Sequence, residues 1–330
     1  MQEQWNEREI ADLVAGVAAL KLSMGRVIIG QEQVVEHLII CLLAGGHALI
    51  EGVPGLGKTL LVKSLAQATG MQFRRVQFTP DLMPSDIVGT EILEEDAATH
   101  KRVFRFQQGP VFTQVLLADE INRAPPKTQS ALLEAMQERS VTFAGQTYAL
   151  PQPFFVLATQ NPIEQSGTYP LPEAQLDRFL LRIDVVYPTE DEEVAMVSAT
   201  TRAGLEDAAP AMDLATLLRL QKLVRDIEIG EHLLRYATRL VRATRPLDTT
   251  VAAIRKHVGW GAGPRAGQAL VLAAKARALM QGRLAVTRDD IGAMLLPVLA
   301  HRVLRNFEAE ADGVAIADIL ASLQREIKVD

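Results

Sequence analysis

The stretch Ala48-Leu49-Ile50-Glu51-Gly52-Val53-Pro54-Gly55-Leu56-Gly57-Lys58-Thr59 restricts what this chain can fold into more than any other. Its apolar start reads as a short strand, its glycines and proline as a loop, and residues 58–69 as a helix that Gly70 stops. Gly52, Gly57, Lys58 and Thr59 stand at the spacing of a phosphate-binding loop, with the strand before and the helix after that such a loop needs. Glycine permits the tight turn that points successive N–H groups at one phosphate, and the helix adds the positive end of its dipole. In that arrangement Lys58 neutralises the β- and γ-phosphates of a nucleotide while the Thr59 hydroxyl holds magnesium. The expected nucleotide contacts are Gly52, Val53, Pro54, Gly55, Leu56, Gly57, Lys58, Thr59 and Leu60.

Strand-like runs recur at residues 73–78, 115–119, 154–159 and 179–186, with helical patterns such as residues 128–138 between them. Val115-Leu116-Leu117-Ala118-Asp119 is apolar almost throughout, as expected of a strand covered on both faces. Strands spaced by helices predict an α/β fold, a parallel sheet of five strands with helices on both faces. Residues 88–106, around Glu94-Glu95-Asp96, and residues 141–150, around Gly145, predict two β-hairpins inserted beside that sheet. At the start, Leu13, Val17 and Leu20, then Val34, Val35, Leu38 and Leu42 after a break at Gly30, have helical spacing. Beyond Pro188 the pattern is helical to the end, with capping boxes at Thr189/Glu192 and Thr287/Asp290 and loops at residues 204–210 and 261–267. The boundary falls near Pro188, giving an α/β nucleotide-binding domain over residues 1–188, N-terminal helices included, and a smaller all-α domain over residues 189–330.

A length of 330 residues exceeds one comfortable core and agrees with two domains. Forty acidic against 34 basic residues, a net charge of −6, oppose a chain that coats nucleic acid or anionic membrane. The apolar runs fall short of the ~20 residues that cross a bilayer, and residues 1–10 carry charges in place of a signal sequence, so a cytoplasmic chain is expected. One cysteine, Cys41, excludes an intrachain disulfide and reads as a buried small hydrophobe. The histidines form no H-E-x-x-H, so the metal expected is the magnesium of a bound nucleotide.

A phosphate loop requires an acidic partner at the end of a neighbouring strand. Asp119 is placed to bind magnesium through water and Glu120 to polarise an attacking water. Asn161, at the tip of the apolar run 154–159, either orients that water or caps a turn before Pro162. Arg178 and Arg265 are candidates to stabilise the charge that phosphoryl transfer develops, although position alone does not select them. Arg235, Arg239, Arg242 and Arg245 share one helical face, which reads as a subunit contact, a nucleic-acid stripe or an ordinary solvated face.

The order of these motifs resembles the AAA+ ATPases, and the wording is closer still to the MoxR family, in the helix-2-insert group that also holds magnesium-chelatase ATPase subunits. The resemblance rests on Ile29-Gly30-Gln31-Glu32, Glu51 to Thr59, Phe78 to Ile87, Asp119 to Met136, Ala158 to Pro162 and Leu171 to Phe179, and covers residues 10–325. It implies an AAA+ three-layer core with a helical lid, Lys58 and Thr59 as Walker A contacts, and Asp119 and Glu120 as the Walker B pair. It further implies Asn161 as sensor 1, Arg178 as an arginine finger acting on ATP held by the next subunit, and Arg265 as sensor 2. Val27, Ile28, Ile29 and Gly30 would line the adenine pocket. The function implied is ATP hydrolysis coupled to chaperone-like remodelling of a partner protein, in a homo-hexameric ring, often alongside a von Willebrand factor A domain protein. A nucleotide-gated binding module with incidental turnover is the alternative. With the nucleotide between the two domains, Lys58, Asp119 and Glu120 are expected on one side of it and Arg265 on the other.

Overall fold

The computed structural model describes residues 5–95, 102–161, 167–201 and 207–329. Asp96 of the first hairpin turn, Pro162 and residues 204–206 lie outside the described residues. The chain opens with α1 (Glu7–Val27) and α2 (Glu32–Leu43), then β1 (Ala48–Gly52), α3 (Lys58–Ala68) and β2 (Phe73–Gln77). A short helix, α4 (Pro84–Val88), leads into the hairpin β3 (Gly89–Glu95) and β4 (Arg102–Gln108). Next come β5 (Val115–Asp119), α5 (Pro126–Glu138), the hairpin β6 (Ser140–Phe143) and β7 (Gln146–Ala149), β8 (Phe155–Gln160), α6 (Glu173–Leu176) and β9 (Leu181–Val185). The remainder holds α7 (Glu190–Thr200), α8 (Leu214–Asp226), α9 (Glu231–Arg242), α10 (Ala252–His257), β10 (Val258–Trp260), α11 (Pro264–Met280), α12 (Arg288–Leu299), β11 (Leu304–Arg305), α13 (Phe307–Ala311) and α14 (Ile316–Glu326).

The five expected strands pair in parallel in the order β2-β5-β8-β1-β9. Successive side chains of the three central strands go to opposite faces. Ala48, Ile50, Val115, Leu117, Phe155 and Leu157 join one apolar cluster with α1, α2 and α3. Leu49, Leu116, Ala118, Val156 and Ala158 join the other, with Leu132, Leu133 and Met136 of α5. Burial of each large aliphatic side chain contributes roughly 1.5–3 kcal/mol, so the glycine loop leaves a strand held from both sides. Both hairpins form beside the sheet, tied together by Phe106, whose ring stacks on Phe143 at 5.0 Å and on Tyr148 at 4.5 Å.

The first apolar cluster continues past Pro188 into α8, α9, α11 and α12, so the elements on either side of that residue share one core. Both expected capping boxes are present, at Thr189/Glu192 and Thr287/Asp290. Asp290 is fully buried and accepts from Arg277 at 2.6 Å, Arg283 at 2.7 Å and the Thr287 N–H at 2.8 Å, which fastens α11 to α12. Burial alone would raise its pKa, and these hydrogen bonds outweigh burial and bring it to about 2. The region after Pro188 differs from expectation in two respects. The loop expected at residues 261–267 ends at Gly263, because Pro264 at the first helical position starts α11. Val258–Trp260 and Leu304–Arg305 form an antiparallel ladder, because β-branched and aromatic residues interleaved with glycine at residues 258–261 do not continue α10.

Two buried histidines, His47 and His301, and the half-buried His37 set an acid limit on this fold. His47 accepts the Val156 N–H on Nδ1 at 3.0 Å, so its Nε2 carries the proton shared with the Met136 carbonyl at 3.3 Å, and burial lowers its pKa to about 4. Burial also pushes His301 and His37 below the usual value. Above pH 6.5 both folded and unfolded chains carry these rings neutral; below it only the unfolded chain takes up protons. Stability is expected to fall from pH 6.5 toward 4, by about 3 kcal/mol for His47 alone at the end of that range. Carboxylates lowered in the fold begin to contribute only near their unfolded values of about 4. Glu51, raised by burial, takes up its proton earlier in the folded chain and opposes the fall, so a loss between pH 6.5 and 5 reports the histidines. A melting temperature that stays level over that interval would contradict neutral His47.

Candidate functional site

All five strands end on the same side of the sheet, with Gln77 opposite Asp119, Glu51 opposite Gln160 and Gly52 opposite Val185. In open α/β sheets ligands bind outside this carboxyl end. Gly55 and Gly57 have φ of +88° and +71°, the left-handed region that a side chain disfavours. The first helical bond of α3 runs from Leu61 N–H to the Gly57 carbonyl at 2.9 Å. Among the described residues, no acceptor takes the N–H groups of Gly55, Leu56, Gly57, Lys58, Thr59 or Leu60. A nest of open donors at a helix N-terminus fits a polyphosphate chain. Lys58 folds back over the nest, donating to the Gly52 carbonyl. Burial lowers its pKa, while Asp119 and Glu120 nearby pull it up, which places ammonium and carboxylates around one space.

Asp119 is held at both oxygens: Thr159 Oγ1 donates to Oδ1 at 2.6 Å, and Arg75 Nη2 and Nε approach Oδ2 at 2.5 and 3.1 Å. With the half-buried Thr59 hydroxyl it offers hard oxygen donors of the type magnesium takes. Glu120 adopts φ 55° and ψ 52°, a left-handed conformation that costs about 1–2 kcal/mol outside glycine. Its N–H donates to Thr159 Oγ1 at 2.8 Å, and its carboxylate accepts from Gln77 at 2.7 Å and Arg123 at 3.0 Å. Asn161, buried, follows the last residue of β8 on the same side. Ile28 is buried and Ile29 and Gly30 are half-buried. Gln31 Nε2 donates to the Leu56 carbonyl at 3.3 Å, so this loop abuts the glycine loop, and a cleft of about 440 Å³ opens between Gly30, Gln31, His37, Asp184 and Val186.

Arg178 and Arg265 lie elsewhere. Phe179 and Leu180 precede β9, whose Leu181 pairs with Ala48, roughly 13 Å of strand away from Gly52 at ~3.3 Å per residue. Arg302 donates there to Asp177 at 2.7 Å and to the Phe179 carbonyl at 2.6 Å. Burial lowers the Arg302 pKa, Asp177 opposes that, and the like charge of Arg265 lowers it further, so Arg265 stands beside this group. The placement of Arg265 across the nucleotide from Lys58 is therefore corrected: it shares the opposite end of the sheet with Arg178. The reason is tertiary. Thr244 Oγ1 accepts the Ala262 N–H at 2.8 Å and Arg245 donates to the Ala262 carbonyl at 3.2 Å, which pins the loop before α11 at that end.

Sequence reasoning missed Arg75, Gln77, Arg123, Thr159 and Arg302. Arg75 and Gln77 alternate on an edge strand with polar residues facing out, a pattern that signals only solvent exposure. Arg123 was visible as the residue three places after Glu120.

A nucleotide-shaped loop, paired carboxylates at the next strand tip and a helical region fused to the sheet define an ATPase of the AAA class. Residues 47–181 match the model for the ATPase family associated with various cellular activities, and residues 251–323 match the AAA lid domain. The chain is 45% identical to the chaperone MoxR1 of Mycobacterium tuberculosis, over 88% of this chain and 76% of that one. It is 41% identical to the uncharacterised protein YeaC of Bacillus subtilis, over 93% and 92%. A crystal structure from Cytophaga hutchinsonii, described as that of a candidate ATPase, superposes with a TM-score of 0.91 and 39% identity over 98% of each chain. The chain belongs to the MoxR family of AAA ATPases, and nucleotide binding follows from that membership.

Proposed function

We propose that this protein hydrolyses ATP to ADP and phosphate at the glycine loop and couples turnover to chaperone-like remodelling or maturation of a partner protein, as a cytosolic homo-hexameric ring. One observation carries the reading: Lys58, Asp119 and Glu120 converge on open N–H donors, while Arg178 and Arg265 lie at the other end of the sheet. A site with both the base and the arginines needs two copies. The name of the Mycobacterium relative supports the chaperone part. Residues 1–188 would hold the nucleotide and residues 189–330 act as the lid that transmits the change. The proposed partner is a client enzyme, alone or with a von Willebrand factor A domain protein.

Loop N–H groups and Lys58 would hold the β- and γ-phosphates, and Ile28, Ile29 and Gly30 the base. Thr59, and Asp119 through water, would hold magnesium, which when bound neutralises charge on the phosphate oxygens. Glu120 takes a proton from water as the water oxygen bonds to the γ-phosphorus and the bond to the bridging oxygen breaks. Asn161 orients that water with its amide. Thr159 ties the Asp119 carboxylate to the Glu120 backbone N–H, while Gln77 and Arg123 hold the Glu120 carboxylate, so both acids are positioned by the protein itself. The test is phosphate release from ATP by the full chain. Turnover is expected with magnesium, lost on chelation with EDTA and recovered on adding magnesium back. Nucleotide binding with no phosphate release under any condition would favour a nucleotide-gated binding module instead.

A further inference from the structure

α7 is a helix without a buried side chain: Glu192, Met196 and Ala199 are half-buried and the rest are exposed. Glu190, Glu193, Val194 and Val197 lie on one face, with the two valines 64% and 61% exposed. The Glu192 side chain covers Gly30, where an added Cβ would stand 2.7 Å from it, so α7 sits at the nucleotide end of the sheet. At the other end, α9 and α11 leave an open groove of about 690 Å³ between them. Leu234, Val241, Val271 and Leu272 line it, and Arg242 and Arg245 stand on its rim. The groove reaches Pro264 and Gly267, which flank Arg265.

We propose that α7 of one copy docks into the α9–α11 groove of the next copy, Val194 and Val197 against the apolar lining and the acidic first turn against Arg242 and Arg245. Complementary charge selects this occupant, since Glu190, Asp191 and Glu193 stand exposed on α7 and Arg242 makes no ion pair among the described residues. A chain cannot reach its own groove, because the two surfaces lie at opposite ends of its sheet. The contact is heterologous, so its repetition closes a ring when the rotation allows. It also carries Arg265, which Pro264 and Gly267 of the groove flank, to the neighbour's glycine loop. The inference rests on the reading that Arg178 and Arg265 act across a subunit boundary, and it names the surface that holds that boundary together.

The experiment uses the full chain with ATP and magnesium. Arg242→Glu and Glu193→Arg, both at exposed positions, are each expected to raise the concentration needed for assembly about tenfold in sedimentation, and their mixture to restore it. Leu234→Cys and Val197→Cys chains, mixed and oxidised, should form a cross-linked dimer that neither variant forms alone; buried Cys41 provides no competing thiol. Absence of the cross-link, with assembly unmoved by either charge reversal, overturns the docking. A cross-link within each variant alone would show an isologous contact and overturn it too. Recovery of turnover on mixing Arg178→Ala with Glu120→Gln, in the face of those failures, would leave the interfacial arginines standing and remove only α7.

Discussion

Glu120→Gln is expected to bind ATP within a few-fold of the wild-type chain and to hydrolyse it about 10² to 10⁴ times more slowly. The amide keeps the size of the carboxylate and can still meet Gln77 and Arg123, so the left-handed backbone at residue 120 has no new reason to move. What it loses is the ability to take a proton from water at neutral pH. Binding is read with a fluorescent nucleotide and turnover by phosphate release, on the same preparation. Normal hydrolysis by Glu120→Gln would remove the residue from the reaction.

Lys58→Ala fails at the opposite step. Removing one partner of a close charge pair costs about 2–5 kcal/mol, which at 1.4 kcal/mol per decade is a loss of roughly 30- to several-thousand-fold in ATP affinity. The nest of N–H groups remains, since Gly55 and Gly57 set its shape and the Lys58 side chain contributes only one bond to the Gly52 carbonyl. Burial and two nearby carboxylates act in opposite directions on the Lys58 ammonium, and without it Asp119 and Glu120 face the phosphates with less opposing charge. Turnover should then be undetectable at ATP concentrations that saturate the wild-type chain. Unchanged affinity would mean that the loop is a structural turn.

Glycine spacing and strand patterning made the nucleotide half of the site legible before any coordinates, because both are local. Ala48 to Thr59 must turn where it does, and Val115 to Asp119 must end in charge. The rest depends on which elements become neighbours. Arg75 meets Asp119 only because β2 pairs with β5 in one particular register. Thr159 bonds the Asp119 carboxylate and the Glu120 N–H only because β8 lies beside β5. The position of Arg265 is set by α11 packing on α2 and α12 and by the loop that Thr244 pins, and no periodicity within residues 261–267 encodes that. Exposed valines on α7 looked like nothing in the sequence, since a short helix with a capping box is ordinary until its lack of any buried face is seen.

Whether each phosphate site combines a base from one chain with an arginine from another is decided by mixing two inactive variants. Arg178→Ala and Glu120→Gln chains each lack one partner at every boundary. Mixed in equal amounts, about a quarter of the boundaries in a head-to-tail ring pair an intact Glu120 with an intact Arg178. Phosphate release should therefore reappear in the mixture, at a level that rises and falls with the mixing ratio. No recovery at any ratio, in rings shown by mass spectrometry to contain both chains, would mean that base and arginine do not meet across a subunit boundary.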